Sequence, residues 1–233
     1  MVVGGPARGL VEYTAQPAHV HPKCRTRGYF GVMTPSAARL IRAGFESLEP
    51  RTQTRAVLIA GAEETDGRGW VLEVHCPEGA ASSIMPHLHE TWTETFEIVQ
   101  GSASYRLGGE VRQLSAGESI VFPPGVPHEH PWNTGTGTLV YRQTNDFGAR
   151  TPEAVAEVLG AFATVNDLAR EGRVGADGKP TNPLQLLATL RALGRHGGYD
   201  AAVPVGLQKG LAASLGRVAE WLGYRGVAER YLS

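Results

Sequence analysis

Two different periods of hydrophobic and polar positions follow each other along the chain. From about residue 53 to residue 146, hydrophobic and polar residues alternate one by one, which is typical of strands with one buried face. This alternation predicts strands at 53–61, 69–75, 102–107 and 138–146, with shorter ones around Glu94 and Ile120. We expect the last of these strands to close a barrel.

Glycine and proline separate the predicted strands. Gly101 permits a tight turn, and the glycine pair at 108–109 marks a hairpin. The Pro-Pro-Gly segment at 123–125 ends a strand, because proline cannot donate a hydrogen bond to a central ladder. Short strands joined by such turns favour a mainly β fold.

After Gly148 the apolar positions recur every three or four residues, which indicates helices. Three helices are predicted, from Thr151 to about Arg170, from Asn182 to Gly194 and from Pro204 to Gly223. The Thr151 hydroxyl and the Asn182 side chain are expected to cap the first two. The apolar stripes that should be buried contain Val155, Val158, Leu159, Phe162 and Val165, then Leu184, Leu187 and Leu190, and finally Leu207, Leu211, Leu215, Val218 and Leu222.

These stripes allow two interpretations of the helical tail. The one we favour packs them on the barrel exterior or on a second copy of the chain, so a homodimer is expected. The alternative is contact with a membrane surface, since Lys209 and Arg217 lie beside the last stripe.

Three regions follow from the change of period. Residues 1–50 form an N-terminal arm and lead-in segment, with a short helix or a strand within 35–45. Residues 51–148 form the β-barrel, and residues 149–233 form the C-terminal helical extension.

Composition narrows the class of protein. The chain has 233 residues, 42% of them hydrophobic, and a net charge of −1, so it can bury one good core and shows no charge excess for nucleic acid. Cys24 and Cys76 are too few for a disulfide scaffold and suit a reducing compartment. No apolar run reaches about 18 residues, so no membrane-spanning segment is expected. The first residues lack a basic-then-apolar leader, and we therefore expect a cytoplasmic protein.

The candidate chemistry lies in two histidine-containing segments. His87 and His89 are two residues apart, so on a strand they face the same side and can reach one ion. Glu94 follows on the next alternation, and His128 begins a strand far downstream. Three imidazoles and one carboxylate from strands can hold a divalent cation with positions left open. The pair His19 and His21 lacks a downstream Glu-and-Gly frame, and we regard it as chance.

Both segments resemble the cupin superfamily. The family's first motif, HxH, four residues, Glu, six residues and Gly, is met by His87, His89, Glu94 and Gly101. The second motif, Gly, five residues, Pro-x-Gly, two residues and His, is met by Gly117, Pro123, Gly125 and His128. Two positions depart from the pattern. The second motif ends in an asparagine, and Asn133 lies one residue after the expected position. Gly79, a possible leading glycine of the first motif, is two residues farther from His87 than the pattern requires.

The resemblance implies a mainly β fold, an antiparallel jelly-roll barrel with the metal at one end of its interior. It also implies that His87, His89, Glu94 and His128 are the metal ligands. By alternation, Phe96 and Ile98 continue the face of Glu94, and His130 and Trp132 continue the face of His128. The predicted substrate pocket therefore contains Phe96, Ile98, Ile120, Phe122, His130 and Trp132. Tyr105, Tyr141 and Arg142 are further polar candidates, each of which faces either the pocket or the outside.

The sequence predicts a metal-dependent cupin that acts on a small organic molecule. With Fe(II), the favoured ion, a chelating substrate and dioxygen can be held together, which suits a dioxygenase-type oxidoreductase. Mn, Ni or Zn would instead favour Lewis-acid isomerase or cyclase chemistry. A third hypothesis is a non-catalytic small-molecule-binding protein whose helical tail contacts a partner.

Overall fold

The structure, a computed structural model, describes residues 41–232. The described strands are β1 Glu46–Glu49, β2 Thr54–Ala60, β3 Gly69–Cys76, β4 His87–His89, β5 Thr93–Gln100, β6 Ser102–Leu107, β7 Glu110–Ser115, β8 Ser119–Phe122, β9 His128–Asn133, β10 Leu139–Asp146 and β11 Gly198–Asp200. The helices are α1 Pro152–Arg170, α2 Pro183–Gly194, α3 Val205–Ala213 and α4 Leu215–Trp221, followed by a short 3-10 turn at Glu229–Tyr231. Residues 1–40 of the predicted arm and lead-in segment, with His19, His21 and Cys24, lie outside the described residues.

The strands form two antiparallel sheets. One has six strands in the order β1-β2-β3-β10-β5-β8, and the other has five in the order β11-β4-β9-β6-β7. Strands distant in sequence are neighbours in both sheets, as in a jelly roll. The mainly β jelly-roll fold with a C-terminal helical part is therefore confirmed.

Alternation places the core between the two sheets. On β5, Glu94, Phe96 and Ile98 are buried, whereas Val99 is 44% exposed. The face that carries Glu94, hereafter the inner face of the six-stranded sheet, contributes most of the main core. That core contains Val74, Cys76, Phe96, Ile98, Ala103, Tyr105, Leu114, Phe122, Leu139 and Tyr141.

The strand expected to close the barrel is β10, the last strand before the helices. β10 pairs with β3 on one side and with β5 on the other, in the middle of the six-stranded sheet. The predicted strand is therefore present, and it connects β3 to β5 because long connections bring distant strands together in a jelly roll. Residues 41–45, where a short helix or a strand was predicted, form neither.

The first two predicted helices are confirmed as α1 and α2. The Asn182 side chain accepts hydrogen bonds from the backbone N–H groups of Leu184 and Gln185, at 2.9 and 3.2 Å, so it is the expected cap. Thr151 makes no such bond, and its hydroxyl donates instead to the carbonyl oxygen of Ala149 at 3.5 Å. The predicted hydroxyl cap on α1 was therefore wrong.

The third predicted helix is divided. At Ser214 the backbone leaves helical geometry, with φ −105° and ψ −82°, and α4 begins at the next residue. Its predicted apolar stripe is not buried, since Leu207, Leu215, Val218 and Leu222 are each about half exposed. α4 packs on α2 through small residues instead. A side chain at Gly216 would come within 3.0 Å of Arg191.

α2 also buries a different face from the predicted one. Its buried residues are Gln185, Ala188, Thr189 and Ala192, and its leucines are only half-buried. The small side chains allow close approach of neighbouring chain segments, as at Gly226, whose added Cβ would lie 2.4 Å from the carbonyl oxygen of Ala188. Periodicity correctly predicts the helix, but it does not distinguish a face packed against protein from one that lines a cavity.

The tail covers the inner face of the six-stranded sheet, not the barrel exterior. Val155 and Val158 of α1 pack on Leu58 and Trp70, which are each 1% exposed. Trp70 pairs in register with Asn145, which pairs in turn with Glu94, so all three lie on the inner face. The predicted exterior packing was wrong, because β1, β2 and β3 extend this sheet and leave apolar inner-face residues for the helices to cover.

β11, a strand that sequence reasoning missed, joins the tail to the barrel. It pairs with β4, with Gly198 opposite His89 and Asp200 opposite His87. Lys209, on which the membrane-surface interpretation partly rests, forms an ion pair with Glu90 at 2.9 Å. Among residues 41–232, no helix has both the length and the apolar character required to span a bilayer.

Candidate metal centre

Three strands bring the candidate ligands together between the sheets. β4 carries His87 and His89, β5 carries Glu94, and β9 carries His128. His87 and His128 are directly opposite each other in the β4–β9 pair. The Pro-Pro-Gly turn supports this edge, since the N–H of Gly125, at φ +79°, donates to the carbonyl oxygen of His89 at 2.7 Å.

The four side chains have the spacing of ligands to one ion. One ligand atom from each of His87, His89, Glu94 and His128 lies within 4.8 Å of all the others. Nε2 of His128 is 3.2 Å from Nε2 of His87. Oε2 of Glu94 is 3.4 Å from Nε2 of His89 and 3.3 Å from Nε2 of His128. Two ligands at right angles, each about 2.1 Å from an ion, are about 3 Å apart, so the separations suit a shared cation.

Backbone carbonyls orient two of the imidazoles. Nδ1 of His87 is 2.9 Å from the carbonyl oxygen of Met85, and Nδ1 of His128 is 2.8 Å from that of Val126. A carbonyl can only accept, so each Nδ1 carries the proton. The unprotonated Nε2 atoms then face the centre with a lone pair, as metal ligation requires.

His89 supplies the test of whether a metal fits. Its ring is fully buried, and neither ring nitrogen has a hydrogen-bond partner among the described residues. A buried polar atom without a partner is costly. A cation between the four side chains would satisfy Nε2. Trp92 stacks on the ring, with centroids 4.4 Å apart and planes at 17°, which fixes the ring orientation.

Two amides hold the carboxylate of Glu94. Its Oε1 accepts from Nδ2 of Asn145 at 2.6 Å and from Nε2 of Gln143 at 3.2 Å. Only Oε2 faces the imidazoles, which indicates that Glu94 would ligate a metal through one oxygen. Sequence reasoning missed both amides. The available signal was that Gln143 and Asn145 share the strand face of Tyr141 by alternation.

His130 belongs to the same cluster. It is 2% exposed, and its Nε2 lies 3.0 Å from Oε2 of Glu94. Burial alone would raise the pKa of Glu94, but His130 and the close approach of the His128 and His89 imidazoles hold that pKa well below its usual value. Glu94 is therefore a carboxylate. Loss of water, and then the charge of His130, lowers the pKa of His87 well below its usual value, so this imidazole is neutral.

A cavity of about 570 Å³ adjoins the cluster. His130, Tyr141 and Gln143 line it at the end near Glu94. From there it runs along the inner face of the sheet, where it is lined by Ala56, Leu58, Trp70, Leu72 and Val74. The opposite wall is made by the helices, chiefly by Leu159, Phe162, Leu186, Leu187, Leu190 and Leu193. Four of the five half-buried leucines of α2 therefore face the cavity, which explains why they are not buried against protein.

The predicted pocket residues are only partly on this cavity. His130 lines it, whereas Phe96, Ile98 and Phe122 are at most 1% exposed within the main core, and Ile120 packs against that core. The difference has a physical reason. The interior of a small barrel is filled by its own side chains, so the space for a ligand lies where the helices replace the second sheet.

Trp132 departs from the alternation expected for β9. Ser104 pairs with Trp132 but Arg106 pairs with Glu129, so two residues of β9 oppose one of β6 in a bulge. The bulge reverses the faces after His130, and Trp132 is not among the residues that line the cavity. It also accommodates the late Asn133, which is buried opposite Ala103 and donates from Nδ2 to the carbonyl oxygen of Gly137 at 2.7 Å.

The three further polar candidates have different positions. Tyr141 lines the cavity, and burial raises its pKa well above the usual value, so it is a neutral phenol. Tyr105 lies in the main core beside Phe122. Arg142 is exposed and is 3.6 Å from a carboxylate oxygen of Glu73.

Comparison with known proteins agrees with this geometry. The cupin domain family matches residues 72–141, a segment that contains all four candidate ligands and both motifs. The chain contains a cupin domain. No curated protein sequence matches the chain.

Several solved cupin-type structures are similar to this cupin domain. The Cnp3 cupin domain of Schizosaccharomyces pombe is 17% identical with a TM-score of 0.36, over 41% of this chain and 65% of that chain, slightly less than two thirds. A predicted oxalate decarboxylase of Thermotoga maritima is 16% identical with a TM-score of 0.39, over 49% of this chain and 99% of that chain. KdgF of Halomonas sp. is 25% identical with a TM-score of 0.34, over 40% and 78% of the two chains.

Proposed function

We propose that this cupin is a metal-dependent enzyme that acts on a small organic molecule, with oxygenase or dioxygenase-type chemistry. His87, His89, Glu94 and His128 would hold one divalent ion, with Fe(II) favoured. The observation that carries the proposal is that this group adjoins a largely apolar cavity of about 570 Å³, which is lined by His130 and Gln143, both hydrogen-bonded to Glu94. Ligand cavities of this size and character hold small organic molecules.

The metal would supply a Lewis-acidic and, for iron, redox-active centre to which a chelating substrate can bind. The protein supplies the rest. The carbonyls of Met85 and Val126 keep two imidazoles in the ligating tautomer, and the amides of Gln143 and Asn145 hold the carboxylate. The apolar walls exclude water and bind the body of the substrate.

Two alternatives use the same cavity. With Mn, Ni or Zn, the site would favour isomerase or cyclase chemistry, in which the metal polarises a carbonyl group. A non-catalytic binding protein is supported by the helical wall, since the same tail also presents exposed apolar residues such as Leu207 and Trp221. A ligand in the cavity would contact the tail directly.

Metal analysis and oxygen consumption test the proposal. The protein purified without added metal should contain about one metal ion per chain. It should consume oxygen with members of a panel of phenols and dicarbonyl compounds. His128→Ala serves as the control and should lose both metal and oxygen consumption. Stoichiometric metal without turnover of any panel compound would favour the binding protein, and a chain without metal would overturn the proposal.

A further inference from the structure

One polar group on the cavity wall has no role in the metal centre. Three polar side chains line the end near Glu94, and His130 and Gln143 are both hydrogen-bonded to that carboxylate. The third is Tyr141, which is 2% exposed. Its phenol makes no hydrogen bond with another described residue, and its hydroxyl is not one of the completely buried polar atoms without a partner, which belong to Trp70, His89 and Trp92.

A phenol that lines a largely apolar cavity is available to an occupant of that cavity. A hydroxyl that loses water to an occupant without gaining a hydrogen bond is unfavourable, and most such groups in proteins are paired. The hydroxyl belongs to a residue that lines the cavity, so an occupant of the cavity can supply the acceptor or donor. Its position near the candidate ligands places that partner at the metal end of the occupant.

The remainder of the cavity defines the rest of the occupant. Most of its lining is aliphatic or aromatic, and its charged residues are already paired. Arg51 Nε is 2.6 Å from Oε1 of Glu49, and Lys179 Nζ is 2.6 Å from Oδ2 of Asp200. Among the described lining residues, these pairs leave no basic side chain for an anionic ligand. The cavity therefore suits an uncharged, apolar molecule.

We infer that Tyr141 is a specificity-determining residue, whose hydroxyl hydrogen-bonds an oxygen atom on an uncharged and otherwise apolar substrate. The substrate class is a neutral aromatic or alicyclic molecule with a hydroxyl or carbonyl group at one end. This inference rests on the proposed function for the chemistry that follows, but the binding step can be measured without turnover.

Paired probes test the inference on the full-length, metal-loaded protein by equilibrium dialysis. 1-Naphthol and 1-methylnaphthalene have nearly the same shape, and only the first carries an oxygen. We expect the wild-type protein to bind 1-naphthol about tenfold more tightly, and Tyr141→Phe to lose most of this preference. Any preference for 1-naphthol that is due to the metal would remain in Tyr141→Phe. The decrease in preference therefore measures the contribution of the Tyr141 hydroxyl. Naphthalene-1-sulfonate should bind at least about tenfold more weakly than 1-naphthol, because burying an unpaired charge is costly.

Tyr105→Phe is the matched control, because Tyr105 is equally buried but lies in the core and does not line the cavity. It should bind all three probes like the wild-type protein. Equal preference in Tyr141→Phe and the wild-type protein, no binding of 1-naphthol, or tight binding of the sulfonate would each overturn the inference. Metal content is measured on the same samples. If the wild-type protein binds metal but turns over no compound, and Tyr141→Phe still loses the preference for 1-naphthol, the proposed enzyme activity is contradicted. The role of Tyr141 in binding is then still supported.

Discussion

Glu94 is the residue on which the candidate site is built. Its two oxygens have different partners, with amides on one side and imidazoles on the other. The grouping of the four candidate ligands could be predicted from the sequence, because motif spacing and strand alternation both pointed to it. The contact of the Gln143 and Asn145 amides with Glu94 could not be predicted, because it depends on the pairing of two strands that are far apart in the sequence.

The histidines differ in their expected effect on metal content. His89→Ala should empty the site, because it removes a buried imidazole from the four-residue group. His130→Ala should retain most of the metal, because His130 contacts Glu94 and is outside that group. Inductively coupled plasma mass spectrometry on both purified variants gives the comparison. Equal metal loss in the two would show that the ligands are wrongly assigned.

Asn145 is expected to act through the carboxylate it holds. Asn145→Ala removes the 2.6 Å hydrogen bond to Oε1 of Glu94, and we expect metal affinity to fall by about 10–100-fold. Competition with a chelator of known affinity measures the change. Thr144→Ala, an exposed position on the same strand, is the control and should leave affinity unchanged. An Asn145→Ala protein with wild-type affinity would mean that the amide does not position Glu94.

Glu49 makes stability depend on pH. Burial opposes ionisation, but hydrogen bonds from Arg51 and Thr52 outweigh it and lower the pKa of Glu49. A lowered pKa in the folded state means that the stabilisation is complete above the unfolded-state pKa of about 4.3 and is lost as pH falls towards the folded value. Urea unfolding from about pH 7 down to about pH 3, below the unfolded-state pKa, should show this fall in the wild-type protein. Glu49→Gln should be less stable at pH 7 and should change less over the same range.

At the scale of elements, the sequence predicted where strands and helices form better than what they face. α1 and α2 were predicted almost to the residue, because proline, asparagine and glycine mark their ends. The faces of α2 were not predicted, since leucines that line a cavity and leucines that pack on protein have the same spacing. The bulge in β9 was visible only as the late position of Asn133.

α2 should control which molecules fit the cavity. Leu190→Trp places a larger side chain on the cavity wall, and we expect the affinity for 1-naphthol to fall at least about tenfold with metal content unchanged. Leu184→Trp, on the same helix but away from the cavity, is the control. Equilibrium dialysis measures both. Unchanged binding in Leu190→Trp would place the ligand elsewhere.

For the whole molecule, the helical tail and the sheet share one apolar interior. The hydrophobic period changes after Gly148, and in the structure the last barrel strand ends at Asp146 and the first helix begins at Pro152. The sequence could not show that the tail covers the inner face, because an amphipathic pattern identifies an apolar stripe without identifying its partner.

A chain ending after residue 150 should therefore not behave as an independent barrel. Leu58 and Trp70, now covered by α1, would be exposed to water. We expect such a chain to lose its cooperative unfolding transition and its binding of 1-naphthol, as followed by circular dichroism and dialysis. Cooperative unfolding with full-length affinity would contradict the shared interior.

The pairing of β11 with β4 has a consequence for the order of events during synthesis. β4 has only three residues, and two of them are candidate ligands held on one side by His128 of β9 and on the other by Gly198–Asp200. A ribosome must therefore release about 200 residues before this short strand gains its second neighbour. We expect nascent chains to bind the proposed metal ion late, after the tail has emerged. A chain released from the ribosome at an earlier length should therefore lack the ion.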